Sequence, residues 1–293
     1  MTPLIRALLW MGGALTCFTL TALATRELAL LQLSTFQILF LRALVAAVIL
    51  MPFVIRSGGR IARTGNLRLQ VLRNLFHYSA SLGWYYGIAV LPLATVFAIE
   101  FTTPLWVALI AVLLLGEKMN GGRAVALAVG FAGVLIIVRP GIADFGLDSL
   151  IVLACALGFA GSHASAKGLT RSDSVLTILF FMTWLQIPLG IVPAILTWGG
   201  MGGAAWFWAA VMGTVALAAH LCLTRALSLA DATVVVPMDF LRVPLIALLG
   251  FLFYAEQIDV FVLVGAFVIF AGNYYSLRRE RAMSLAQTKA AGP

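Results

Sequence analysis

The chain has 293 residues, 62% of them hydrophobic and only 10% charged, with a formal net charge of +8 and three cysteines. Soluble domains are roughly 45–50% apolar and about a quarter charged, so a mean hydropathy of +1.06 excludes a soluble enzyme and points to an integral membrane protein. The positive charge does not mark a nucleic-acid binder, because the basic residues collect in loops on one side.

At about 20 apolar residues per span, the length supplies ten transmembrane helices. They are read at about 4–24, 34–55, 70–91, 93–115, 122–139, 149–168, 174–197, 204–229, 232–254 and 260–277. The apolar runs are continuous rather than alternating, which argues against membrane strands. The first run, with Arg6 before it and Ala22-Leu23-Ala24 at its end, has the shape of a signal peptide. It has a counterpart opening the second half of the chain, so it is read as a span. Cys17, Cys155 and Cys222 all fall inside apolar segments and show no metal or disulfide spacing.

Fifteen of the nineteen Lys and Arg lie at one set of segment ends, and only Arg26 and Arg139 at the other. That bias places both termini in the cytoplasm. Arg42 and Arg242 lie within spans. Trp198, Trp206 and Trp208 flank the turn between segments 7 and 8 and fit an aromatic anchor at the outer interface. The last residues, 278–293, are polar and basic and read as a short mobile cytoplasmic tail touching anionic headgroups.

One sentence of sequence is written twice. Leu91–Asn120 carries Ala94-Thr95-Val96, Glu100, Pro104 and Gly116-Glu117. Leu229–Asp259 carries Ala232-Thr233-Val234, Asp239, Pro244 and Glu256, with both acids displaced by 139 positions. Each half, 5–139 and 149–277, holds five helices. Five is odd, so the second half enters the membrane from the opposite side. Inverted repeats of this kind recur in transporters, with the substrate site near mid-membrane between the halves. The expected fold class is therefore all-α, with ten transmembrane helices in two inverted five-helix repeats around a central cavity. A small-residue stripe, Ala126, Gly130 and Gly133 in segment 5 with Gly265 and Gly272 in segment 10, suits close packing within one chain. The expected state is a monomer or weak homodimer.

Ionisable groups at bilayer depth cost at least about 2.5 kcal/mol each and face a bundle interior or wet cavity. Glu100 lies about two turns from the outer end of segment 4, and Asp239 about two turns from the inner end of segment 9. Both can bind a proton or a substrate amine, or form fixed ion pairs. Arg242, three residues after Asp239, can pair with it on one helix face. Arg42, in mid-segment 2, lies at the depth of Glu100 and either pairs with that acid or binds a substrate carboxylate. Segment 3 sets His77, Ser81 and Trp84 or Tyr85 at i, i+4 spacing with Tyr78 beside them. That polar, aromatic face can stack a planar substrate or hold a cation. His163 and His220 complete the histidines, and His220 shares a face with Thr224. Trp184 and Gln186 are weaker candidates. Prolines 104, 188, 193, 237 and 244 break or kink their helices. There is no phosphate-binding Gly loop, no HExxH and no GxSxG, so neither cofactor nor catalytic residue is expected. The expected partners are a small-molecule substrate and the lipid bilayer, with no nucleic acid.

These residues resemble the EamA-type repeat of the drug/metabolite transporter superfamily. The marks are Pro92-Leu93-Ala94, Pro104, Gly116-Glu117 and Gly130 to Gly133 in the first copy, Glu256 and Gly272 in the second, and Arg42 in segment 2. The resemblance implies a secondary transporter working by alternating access, most readily an exporter of amino acids, with the aromatic segment 3 similar in character to exporters of aromatic amino acids. An importer of S-adenosylmethionine or another nucleotide-like metabolite is the alternative. A membrane-embedded enzyme is the least favoured reading.

Overall fold

The computed structural model describes residues 3–115, 121–139, 146–169, 171–229, 239 and 241–290. Glu117, Ala232-Thr233-Val234 and Pro237 lie outside the described residues. The helices are α1 (Pro3–Leu30), α2 (Thr35–Arg56), α3 (Leu67–Val90), α4 (Leu93–Glu100), α5 (Thr103–Leu115), α6 (Gly121–Val138), α7 (Leu147–Leu169), α8 (Val175–Leu196), α9 (Gly203–Leu229), α10 (Arg242–Tyr254) and α11 (Val260–Ala290). Five of them, α1, α2, α7, α8 and α9, carry stretches long and apolar enough to cross a membrane.

Helix partners show the inversion directly. α1 packs on α9 and α3 on α7, two contacts that exchange when the halves are swapped. α2 packs on α8, α6 on α11 and α4 on α10, and each of these maps onto itself. The caps repeat too. Ser34 opens α2 by accepting from the Gln37 amide at 3.3 Å, and Ser174 opens the equivalent α8 by accepting from the Thr177 amide at 3.1 Å. The outward surface is apolar, with Ile55, Leu196 and Phe253 among many exposed large side chains. A bilayer covers such a surface, whereas water would not tolerate it.

Segment 4 is not one helix. α4 ends at Glu100 and α5 begins at Thr103, just before Pro104. Proline has no N–H and its ring clashes with the carbonyl four residues back, here that of Glu100. The freed carbonyls are all satisfied, as the membrane interior requires. Thr102 Oγ1 donates to Ile99 O at 2.7 Å and Thr103 Oγ1 to Glu100 O at 2.6 Å. Asn273 Nδ2, from α11, donates to Phe101 O at 3.3 Å.

Residues 278–290 continue α11 rather than forming a separate mobile tail. The stretch RRERAMSLAQTKA is built mostly from strong helix formers, and nothing in it stops a helix already under way.

The small-residue stripe works inside the chain. A Cβ on Gly133 would lie 2.7 Å from Gly265 O, and one on Gly265 would lie 2.6 Å from Gly133 O. Backbone oxygens cannot swing aside, so α6 and α11 must part. Gly133→Ala is therefore expected to lower stability by about 1–3 kcal/mol, read as a lower melting temperature of the purified protein. An unchanged melting temperature would contradict this packing.

Candidate functional site

Two charged loci lie buried between the helices, one on each side of a single aromatic ring. The first begins with Arg42, 8% exposed, on α2. Its Nη2 donates to Gln186 Oε1 on α8, and its Nη1 to the Tyr85 hydroxyl on α3 at 3.4 Å. The guanidinium also sits 5.4 Å from the Tyr85 ring. The acid read at its depth, Glu100, is not there. Which residues meet depends on helix rotation, and α2 turns this face to α8 rather than to α4.

Because Gln186 Oε1 accepts from Arg42, its amide nitrogen is left to donate. It does so to His77 Nδ1 at 3.0 Å, where the Ser81 hydroxyl also approaches at 3.3 Å. A ring nitrogen that accepts carries no proton, so neutral His77 holds its proton on Nε2. The His77 and His220 rings lie 6.1 Å apart. Arg42, Gln186 and His220, with Met182, Thr183 and Gly213, line a small hollow of about 20 Å³. A space of that size holds about one water, so a solute enters only when the surrounding helices part.

The second locus is built where the broken helices meet. Arg242, at the first turn of α10, contacts Asp239 and lies 3.9 Å from Glu100 Oε1. Trp84 Nε1 donates to Glu100 Oε2 at 2.8 Å. The Arg242 guanidinium is enclosed by the rings of Phe18, Phe97 and Phe101 at 4.7, 5.4 and 5.4 Å. The expected Arg242–Asp239 pair forms, and Glu100 joins it instead of Arg42. Two acids thus share one guanidinium, which leaves one of them to hold a proton or a second cation. Phe18 separates the loci: its ring is 5.5 Å from His220 and 4.7 Å from Arg242.

The remaining candidates divide. Tyr85 and Trp84 join the two loci, with their rings 5.1 Å apart. Tyr78 is buried against α8, its hydroxyl donating to Leu189 O at 3.3 Å. His163 stands exposed on α7, within electrostatic reach of Arg73, and does not line the hollow. Trp184 is also exposed. Sequence reading underrated Gln186 and placed Arg73 among the loop arginines, although Arg73 is only 6% exposed inside α3. Arg73, His77 and Ser81 follow one another at four-residue spacing, and that signal could have found it.

Both faces of the membrane domain carry polar clasps between the halves. At the face assigned to the outside, Arg26 pairs with Glu256 at 2.9 Å, and Glu256 Oε2 accepts from the Leu93 amide that opens α4 at 2.8 Å. Arg26 also donates to Leu91 O at 2.6 Å, and the Tyr254 hydroxyl to Glu27 at 2.8 Å. Arg139 pairs with Asp259. At the opposite face, Asp173 accepts from Thr64, from the Gly65 amide at 2.9 Å and from Gln70 at 2.7 Å. Burial raises the Asp173 carboxyl, but these hydrogen bonds outweigh it and hold it below the ordinary carboxylate range.

Known proteins sharing this architecture resolve what it is. The EamA-like transporter family matches residues 5–139 and again residues 148–278. The chain belongs to the EamA-like transporter family. This EamA protein is accordingly a membrane transporter of small metabolites and not an enzyme. It is similar to an S-adenosylmethionine uptake transporter of Rickettsia prowazekii, 25% identical over 85% of each chain. A riboflavin transporter of Brucella anthropi is 29% identical over 84% of this chain and 89% of its own. The pseudopaline exporter CntI of Pseudomonas aeruginosa is 26% identical over 80% and 82%. A crystal structure at 18% identity superposes on the EamA fold with a TM-score of 0.64, covering 94% of this chain and 98% of the other. It shows a shared fold.

Proposed function

We propose that this EamA protein exports amino-acid-type metabolites across the bacterial inner membrane by alternating access, as a monomer with both termini in the cytoplasm. The observation that carries the reading is Arg42 at the wall of the buried hollow, held among the described residues by the neutral Gln186 and Tyr85. A guanidinium so placed offers a carboxylate a charge-assisted partner. Across Phe18, the surplus carboxylate at Glu100 and Asp239 offers an ammonium group the complementary charge. A solute whose cationic and anionic ends lie far enough apart to reach past Phe18 matches both. Clasps between the halves at each face supply the parts that alternating access must break in turn. Proteoliposomes holding the purified protein should release labelled amino acids faster than empty vesicles, and Arg42→Gln should slow that flux at least tenfold. No flux for any amino acid, or full flux without Arg42, would sink the proposal.

Uptake of S-adenosylmethionine is the second reading, favoured by the named activity of the Rickettsia relative. That solute also carries an amino acid end, and its cationic centre suits the surplus carboxylate. Inhibition of amino acid flux by S-adenosylmethionine, together with its uptake into vesicles, would favour this reading over export.

A further inference from the structure

Arg73 is the charge that the zwitterion reading leaves unused. It is buried in the third helix, 6% exposed, and its Nη2 meets the sulfur of Met182 at 3.6 Å. Among the described residues, its Nε and Nη1 have no hydrogen-bond partner. Arginine stays protonated in proteins, so the charge itself must be answered. Water can bond those nitrogens, but it cannot neutralise them. The charged and titratable groups within electrostatic reach do not help: Arg42 lies near Arg73, and Arg73 near His77, His163 and His220. Asp173 is engaged with Thr64, Gly65 and Gln70. Among the described residues, no acid forms an ion pair with Arg42 or Arg73. Met182 is shared ground, since it touches Arg73 and lines the hollow beside Arg42.

We infer that Arg73 and Arg42 together form an anion site, and that the preferred solute carries two negative charges on its anionic end or ends, as an acidic amino acid, a dicarboxylate or a phosphate ester does. The inference rests on the proposed transport of amino-acid-type solutes and narrows its substrate class. One monoanionic group neutralises Arg42 and leaves Arg73 buried and uncompensated. A second negative charge answers both. Met182, unbranched and adaptable, is the side chain between the hollow and Arg73 that can move to admit it.

The test compares solutes matched in shape but not in charge. Flux of labelled glutamate into proteoliposomes is measured against glutamine, with unlabelled succinate and inorganic phosphate as competitors. Glutamate should be preferred at least tenfold in the intact protein. Arg73→Gln should bring the ratio close to one, and Arg73→Lys should keep part of it. Competition by succinate alone identifies a carboxylate site, and competition by phosphate identifies a phosphate-ester site; either supports the inference. Equal handling of glutamate and glutamine by the intact protein overturns it, and so does a preference that survives Arg73→Gln. The comparison in the intact protein decides the matter even where the variant fails to fold. If glutamine moves as well as glutamate, only this inference fails. If neither these nor any other amino acid moves, the transport proposal itself fails.

Discussion

Replacing Arg242 with glutamine is expected to lower the melting temperature of the detergent-solubilised protein by roughly 10 °C and to abolish flux. The guanidinium is the only cation that contacts Asp239 and Glu100 among the described residues, and three phenylalanine rings enclose it. Its removal leaves two carboxylates facing each other in an apolar setting. Breaking a buried ion pair by deleting one partner costs about 3–5 kcal/mol, and each kcal/mol shifts melting by about 2–4 °C in a protein of this size class. The Asp239 contact carries most of the effect, because Glu100 at 3.9 Å stands at the edge of ion-pair range. The cause can be isolated. Adding Glu100→Gln and Asp239→Asn to Arg242→Gln removes the stranded charges and should recover more than half of the lost stability, but not transport. A shift under about 2 °C for Arg242→Gln, or no recovery in the triple variant, would show that the three residues do not act as one unit.

The second large effect is expected at Glu256. Glu256→Ala deletes the partner of Arg26 and the acceptor that caps the first amide of α4 in one step. Arg26 is itself mostly buried, with 13% of its side chain exposed, so the loss cannot be made good by simple solvation. The clasp should open. With Cys17, Cys155 and Cys222 replaced by alanine and Leu91→Cys introduced as a reporter, a membrane-impermeant maleimide should label Glu256→Ala at least fivefold faster than the parent. Glu256→Gln keeps an acceptor for the Leu93 amide but loses the charge, so it should fall between the two. Equal labelling in all three would mean that this ion pair does not hold the face closed. Gly250 belongs to the same device. A Cβ there would lie 3.1 Å from Glu256 Cδ, so the glycine leaves the room that the carboxylate needs.

Much of the architecture is legible in the sequence because the membrane permits so few solutions. Ten apolar runs, an odd number per half and one-sided basic loops suffice for an inverted bundle. Local pairs are legible as well. Arg242 and Asp239, three apart on one helix, meet as spacing alone suggests, and Pro104 breaks its helix where its chemistry demands. Partners across helices are not legible in the same way. Glu100 and Arg42 share a depth, yet depth does not fix azimuth, and Arg42 turns to Gln186, 144 residues away. Arg73 was hidden by a boundary effect. Segment 3 is read from residue 70, which makes Arg73 a charge at its end, whereas α3 begins at Leu67 and carries it six residues inside a long helix. A sliding window averages over such a residue and cannot see the unmet charge. The continuation of α11 beyond the bilayer escaped for the opposite reason, since polarity marks where lipid ends and not where a helix does.

The clasp at the head of α4 also orders the making of the protein. The Leu93 amide and its acceptor Glu256 are 163 residues apart in the chain. At roughly 5–20 residues per second of synthesis, that amide waits about 10–30 s for its cap, with all of the intervening helices threaded into the membrane in between. Arg26 and Arg139 wait as well, since their acids come from the same late stretch. The first half is thus delivered to the bilayer with the seams at this face unfastened, and residues 256–259 close them last. Biogenesis of this transporter ends like the tying of a drawstring, and a nascent chain arrested before Glu256 should be the species that quality-control proteases recognise.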